Sequence, residues 1–96
     1  MPAVARKGDT NVPHCSGHNV QSASGDVFVN GRGAARKGDS NTVHVKPGGD
    51  RCPAHSATVS GGSGSVFVNG RPIARVGDPY GGCTSIAQGS GDVFAA

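Results

Sequence analysis

Ser24-Gly25-Asp26-Val27-Phe28-Val29-Asn30-Gly31-Arg32-Gly33-Ala34-Ala35-Arg36-Lys37-Gly38-Asp39 is the stretch that decides the fold, because the chain repeats it. The second copy runs Ser63-Gly64-Ser65-Val66-Phe67-Val68-Asn69-Gly70-Arg71-Pro72-Ile73-Ala74-Arg75-Val76-Gly77-Asp78. Val-Phe-Val has high β-propensity, and Asn-Gly is the strongest short hairpin signal because both residues accept positive φ in a type I′ turn. Each copy therefore predicts a β-hairpin. Gly and Pro interrupt every window long enough to hold a helix, so the expected class is all-β.

A third copy is divided between the chain ends. The chain opens with Ala5-Arg6-Lys7-Gly8-Asp9, the second half of the phrase, and closes with Ser90-Gly91-Asp92-Val93-Phe94, the first half. The halves complete a third hairpin if the strand at Val93-Phe94 pairs with the strand at Ala3 to Arg6. Pairing of that kind closes a three-part ring and removes the open edges that invite aggregation. The expected architecture is a compact arrangement of short hairpins with a pseudo-threefold internal repeat.

Outside the repeats lie connectors at residues 10–23, 40–62 and 79–89, which hold every His and Cys of the chain. The Gly-Asp that closes each Ala-Arg-x-Gly-Asp phrase is followed, five residues past the Asp, by a side chain able to bind a metal: His14 after Asp9, His44 after Asp39, Cys83 after Asp78. Equivalent positions of a repeat become equivalent positions in space, so these three would converge on one axis. A structural zinc takes four ligands. His55, His18, Cys52 and Cys15 are the candidates for the fourth. The middle connector is longer than the first, and its extra length contains Cys52-Pro53-Ala54-His55. An insertion confined to one repeat can supply what the repeat itself does not, which favours His55. His18, four residues after His14, is the main rival, and the Cys52 thiolate competes.

Size and composition strengthen the case for a metal staple. The chain has 96 residues, 34% of them hydrophobic, with three Phe, one Tyr and no Trp. A single domain so short and so poor in aromatics builds a thin core and needs a disulfide, a metal or a partner. Three cysteines cannot all pair within the chain, and Cys15 with Cys52 is the disulfide the sequence permits without requiring. Metal binding contributes roughly 10 kcal/mol or more to the folding of small zinc domains. That is comparable with the whole stability of an ordinary domain, about 5–15 kcal/mol. The mixed imidazole and thiolate set favours Zn2+, with iron as a replacement in some preparations.

Other functions fit less well. The formal net charge is +3, but Lys and Arg are scattered rather than gathered into a basic stripe, which argues against nucleic acid as a partner. The chain contains no Glu, and its Asp residues fall mainly in turn-forming phrases. A catalytic zinc usually works beside a carboxylate base, and no His-Glu-x-x-His motif, nucleophile elbow or phosphate loop is present. The expectation is therefore no enzyme. A zinc-stabilised binding module and, further off, a zinc hydrolase are the alternatives. Asp9, Asp39 and Asp78 read as turn and cap residues beside Gly. Arg6, Arg36 and Arg75 either cover apolar surface with their stems or present a ring of guanidinium groups to a trimeric partner. No signal peptide or membrane-spanning run is visible, so synthesis and folding in the cytoplasm are expected.

The paired Val-Phe-Val-Asn-Gly-Arg phrases, the Ala-Arg-x-Gly-Asp endings and the His, His and Cys spaced after them resemble the PAAR-repeat family. The resemblance covers nearly the whole chain. The Pro-Ala-Ala-Arg tetrapeptide that names the family is not intact. It stands here as Pro2-Ala3-Val4-Ala5-Arg6, Gly33-Ala34-Ala35-Arg36 and Pro72-Ile73-Ala74-Arg75. The resemblance implies a cone-shaped all-β domain with zinc near its vertex, held by three His and one Cys that correspond to His14, His44, His55 and Cys83. It implies that the flat base caps a trimeric β-helical spike, either a VgrG-type protein of a type VI secretion system or a phage tail spike. One copy would serve each trimer, in contact with the target membrane only during piercing. The protein would be a monomer by itself, made in the bacterial cytoplasm and then delivered with the injection machine or carried at a virion tail tip. Residues 1–96 are expected to form one PAAR-repeat domain without an effector extension, any effector being a separate chain.

Overall fold

A computed structural model describes residues 1–13, 17–44, 54–81 and 83–96. Its strands are short and antiparallel, and no helix occurs among the described residues. Strand β1 (Phe28–Val29) pairs with β2 (Arg32–Gly33), and β3 (Phe67–Val68) pairs with β4 (Arg71–Pro72). The two-residue turns between them have φ of 54° at Asn30 and 76° at Gly31, and 54° at Asn69 and 77° at Gly70. Both central residues are left-handed, as the type I′ turn requires.

The chain ends meet as the divided repeat predicts. Ala3 bridges Phe94 in antiparallel sense, Val4 N donates to Val93 O at 2.9 Å, and Ala95 N donates to Pro2 O at 3.1 Å. The repeats are then tied into a circuit. Ala35 N donates to Ala5 O (3.0 Å), Ala74 N to Ala35 O (2.9 Å), and Ala5 N to Ala74 O (3.0 Å). A second circuit runs from Lys7 N to Gly33 O, Lys37 N to Pro72 O and Val76 N to Ala3 O, each 2.8 Å. The second circuit runs in the opposite sense to the first, so each repeat both donates to and accepts from each of its neighbours.

The core is a stack of rings built from equivalent positions. Val29, Val68 and Ala95 form one, with Val4, Ala34 and Ile73 packed in the same cluster. Ala5, Ala35 and Ala74 are fully buried, and Val20, Val59 and Ile86 join them in the second cluster. Alanine at the central ring follows from the hydrogen-bond circuit: three backbones in direct contact leave room for a methyl group and little more. The Cα trace measures 40 × 23 × 22 Å, elongated as stacked rings require.

One sequence reading needs correction. The Arg6, Arg36 and Arg75 side chains are only 13%, 13% and 19% exposed and do not form an outward guanidinium ring. Each closes on the Asp three residues on. In the middle repeat, Arg36 N and Nε donate to Asp39 Oδ2 at 2.8 and 2.9 Å, and Nη2 donates to Oδ1 at 3.0 Å. Asp9 and Asp78 repeat the pattern. The aspartates do cap the turn as read, but a bidentate, largely buried ion pair is added. The hydrogen bonds to Asp9 and Asp39 hold the Arg6 and Arg36 guanidiniums above their ordinary pKa.

The connectors add pairing of their own. Residues 79–89 contain a third hairpin, β5 (Pro79–Tyr80) with β6 (Thr84–Ser85), although Pro-Tyr-Gly-Gly carries no strand signal. The other two connectors fold back likewise, with bridges at Thr10–Asn19 and Ser40–Thr58. Tertiary pairing supplies what propensity lacks: Val20, Val59 and Ile86 return to donate to Asp9 O, Asp39 O and Asp78 O at 2.9, 2.9 and 3.1 Å. The turn itself depends on Gly8, Gly38 and Gly77, whose φ values of 89°, 93° and 92° would strain any L side chain.

Candidate metal centre

The connectors carry His18, His44, His55 and Cys83 to one place. His44 and His55 face each other across an antiparallel bridge, His44 N donating to His55 O at 2.9 Å and His55 N to His44 O at 3.1 Å. Residues directly opposite in such a pair project to the same face, so both imidazoles are delivered together. Cys83 sits in the turn of the β5–β6 hairpin, its N–H donating to Tyr80 O at 2.9 Å. His18 is placed by Asn11 N, which donates to His18 O at 3.0 Å where the first connector folds back.

Cys83 Sγ lies 3.2 Å from His44 Nε2 and 3.6 Å from His55 Nε2. Ligand atoms of His18, His44 and Cys83 all fall within 4.8 Å of one another. The His18 and His44 rings stack at 3.8 Å between centroids, and the His55 ring meets His44 edge-on at 4.2 Å. His44 Nδ1 lies 2.9 Å from Thr42 O. A carbonyl only accepts, so Nδ1 carries the proton and Nε2 presents its lone pair toward Cys83. A hydrogen bond of this kind fixes the tautomer and ring orientation of a histidine able to bind a metal.

His18 and His44 are buried, and Cys83 and His55 are partly so. Burial pushes the Cys83 thiol above its ordinary pKa, a rise offset in part by the Asn41 amide beside it. A buried thiolate is unfavourable alone; a divalent cation among imidazoles reverses that preference. The donor set fits a metal, since imidazole nitrogen and thiolate sulfur are the usual ligands of tetrahedral structural sites. These side chains can hold a metal ion.

Of the residues singled out in the sequence, His44, His55 and Cys83 come together, and His18, the rival from the first connector, joins them. His14, Cys15 and Cys52 lie outside the described residues. Sequence reasoning missed the layer directly behind the cluster. Asn11, Asn41 and Tyr80 are 3%, 0% and 0% exposed. They occupy the same place in the three repeats, two residues past Asp9, Asp39 and Asp78. Bridges Asn11–Ile86, Val20–Asn41 and Val59–Tyr80 hold them in a ring. Burial drives the Tyr80 phenol up to about 12, against a smaller opposing effect of the Asn11 amide, so the hydroxyl keeps its proton. The signal available was the repeat offset itself, which marks these positions as plainly as it marks the metal-capable ones.

Comparison with known families matches residues 48–96 to the PAAR motif. The chain belongs to the PAAR family. That match covers just over half the sequence, including the second Val-Phe-Val phrase, His55 and Cys83. The comparison with curated proteins returned no match. PAAR proteins are structural spike-tip proteins rather than a family of enzymes, and they sit on spike proteins. Among the described residues no helix is long and apolar enough to cross a membrane.

Proposed function

We propose that this PAAR protein is the metal-stapled tip of a contractile injection apparatus, capping a trimeric β-helical spike of VgrG or phage-tail type with one copy per trimer. The observation that carries the reading is an apolar surface repeated three times. Val27 and Phe28 are 38% and 59% exposed, Val66 and Phe67 38% and 57%, Val93 and Phe94 37% and 49%. A soluble domain this poor in aromatics leaves all three of its Phe residues at the surface, each at the same position of a hairpin. Exposed apolar residues gathered in this way mark an interaction surface. A surface presented three times by one chain suits a partner with three identical subunits, which a single-sided contact would not satisfy. Adjacent hairpin backbone offers main-chain pairing to the spike strands.

At the opposite end of the ring stack, we assign the cluster to a structural Zn2+ held by His44, His55, Cys83 and a fourth ligand from the first connector. The repeat offset nominates His14 for that position, and proximity nominates His18. The metal ties three separate connectors together and stiffens the end that meets resistance as the spike is driven into an envelope. The protein is accordingly delivered with the machine.

Native mass spectrometry of the protein mixed with a trimeric spike of either type tests the assignment. One copy per trimer is expected, and the triple variant Phe28→Ser, Phe67→Ser, Phe94→Ser should lose at least tenfold in affinity while keeping its fold. Binding of three copies, or undiminished binding of the triple variant, would overturn it.

A further inference from the structure

Five asparagines occur in the chain, and only Asn30 and Asn69 precede a glycine. Asn-Gly is the pair most open to deamidation, because glycine has no Cβ to shield its nitrogen from the neighbouring side-chain amide. Both pairs are exposed to water at hairpin turns. Neither amide is free to rotate. Asn30 Oδ1 accepts from Arg6 Nη1 at 3.0 Å and from Ser90 Oγ at 2.6 Å, and Asn30 Nδ2 donates to Asp92 Oδ1 at 2.9 Å. Asn69 Oδ1 accepts from Arg36 Nη1 at 2.9 Å and from Ser24 Oγ at 2.7 Å, and Asn69 Nδ2 donates to Asp26 Oδ1 at 2.9 Å. The turn alone asks only for positive φ at Asn and Gly, which is already met. Two copies of the same three-point clamp on an exposed side chain call for another reason.

The chemistry of the pair supplies it. In deamidation the Gly31 nitrogen attacks Asn30 Cγ and the Cγ–Nδ2 bond breaks. The proton lost by Gly31 leaves with Nδ2 as ammonia, and water then opens the succinimide to aspartate or isoaspartate. Closing that five-membered ring requires rotation about Asn30 ψ and about its side-chain bonds. The pairs Phe28–Gly33 and Val29–Arg32 oppose the first rotation, and the three bonds to the amide oppose the second. Arg6 and Ser90 also polarise the Cγ carbonyl, which would favour attack by a nitrogen within reach. Reach decides, because an amide held away from the attacking nitrogen loses more rate than polarisation restores. We propose that Asn30 and Asn69 are deamidation sites held shut by these clamps, and that loss of the Asp92 or Asp26 carboxylate opens the asparagine bound to it. Conversion has structural consequences. A carboxylate at position 30 faces that of Asp92, and isoaspartate adds a main-chain carbon to the turn beside the exposed Phe28.

Peptide mapping by mass spectrometry tests this on the wild type, Asp92→Ala and Asp26→Ala after incubation in mildly alkaline buffer. The β3–β4 hairpin carries Ser65 at the corresponding position, so the carboxylate is not needed for such a hairpin to form. In the folded wild type both Asn-Gly pairs should convert about tenfold or more slowly than in the same chain held in denaturant, since reaction then waits on local opening. Asp92→Ala should speed conversion of Asn30 roughly threefold or more and leave Asn69 at its wild-type rate, and Asp26→Ala should do the reverse. The untouched asparagine in each variant reports whether the rest of the fold has held. Conversion of the folded wild type at the rate of the denatured chain would overturn the proposal. So would the absence of acceleration in both variants, or equal acceleration of both asparagines by either one.

Discussion

The Gly-Asp turns and the residues five positions beyond them are built from one repeat and have diverged differently. At the turns, three copies do the same job: a glycine with φ near 90°, an Asp accepting from the Arg backbone, and a guanidinium clasping the carboxylate. Five positions on, the residues are His14, His44 and Cys83, and the connectors around them differ in length. A frame that closes on itself needs the same bond three times. A single ion needs a set of donors that suits it, and nothing requires those donors to be alike. Identity therefore persists where backbone circuits run, and divergence is found at the positions proposed to serve one ion.

The largest test of this contrast removes the divergent end's support. Chelation, or Cys83→Ala, should lower the thermal midpoint more than any single change in the frame, since structural zinc contributes roughly 10 kcal/mol to comparable small domains. Differential scanning calorimetry with and without chelator checks this, and equal midpoints would remove the contrast. Next in size is the clasp. Asp39→Ala strands the Arg36 guanidinium in a largely buried place, and Arg71 Nη2, which reaches Asp39 Oδ1 at 3.3 Å, loses its partner too. Breaking a buried pair of this kind costs about 3–5 kcal/mol. Asp78→Ala should cost less by denaturant unfolding, because Asp78 is more exposed and, among the described residues, only Arg75 clasps it, whereas Asp9 has Arg6 and Arg32.

The packed centre comes third. Ala35→Val inserts two methyl groups where three backbones meet and should destabilise by about 1–3 kcal/mol, measured by urea unfolding. A substitution without effect would show that the ring is looser than its hydrogen-bond circuit implies. The smallest effect lies at the hairpin corners. Asn69 Nδ2 donates to Asp26 Oδ1, and Asn30 Nδ2 to Asp92 Oδ1, both at 2.9 Å. These amides, then the Ser24 and Ser90 hydroxyls, hold the two carboxyls below their usual pKa. A folded pKa below the unfolded one gives stability that is present above about pH 4 and lost as pH falls through the depressed folded value. The third corner has Ser65 and Ala96 where the others have Asp and Asn, so Asp26→Ser should flatten part of the acid limb while Ser65→Ala should not. Thermal midpoints measured across pH 2–6 separate the two.

Much of this was legible in the sequence, for identifiable reasons. Asn30-Gly31 and Asn69-Gly70 announced their hairpins because positive φ at both positions is a local demand that few residue pairs meet. The union of Ala3 with Phe94 was legible because a divided repeat must be completed. By contrast, the β5–β6 hairpin at Pro79–Tyr80 has no local signal and exists through pairing with Val59 and the return of Ile86 to Asp78. The Arg–Asp clasps were hidden because a turn-capping Asp and an ion-pairing Asp look the same in a sequence. At the metal centre, the repeat pointed to His44 and Cys83, and the extra length of the middle connector pointed to His55. His18 is carried in by the fold-back of its own connector at Asn11, a contact without a sequence signature.

Metal content measured on the purified protein and its single variants tests the central claim most directly. The account predicts one zinc per chain in the wild type and its loss in His44→Ala, His55→Ala and Cys83→Ala, with either His14→Ala or His18→Ala, but not both, behaving in the same way. Full zinc retention by His55→Ala or Cys83→Ala, or a wild type that binds none, would contradict it.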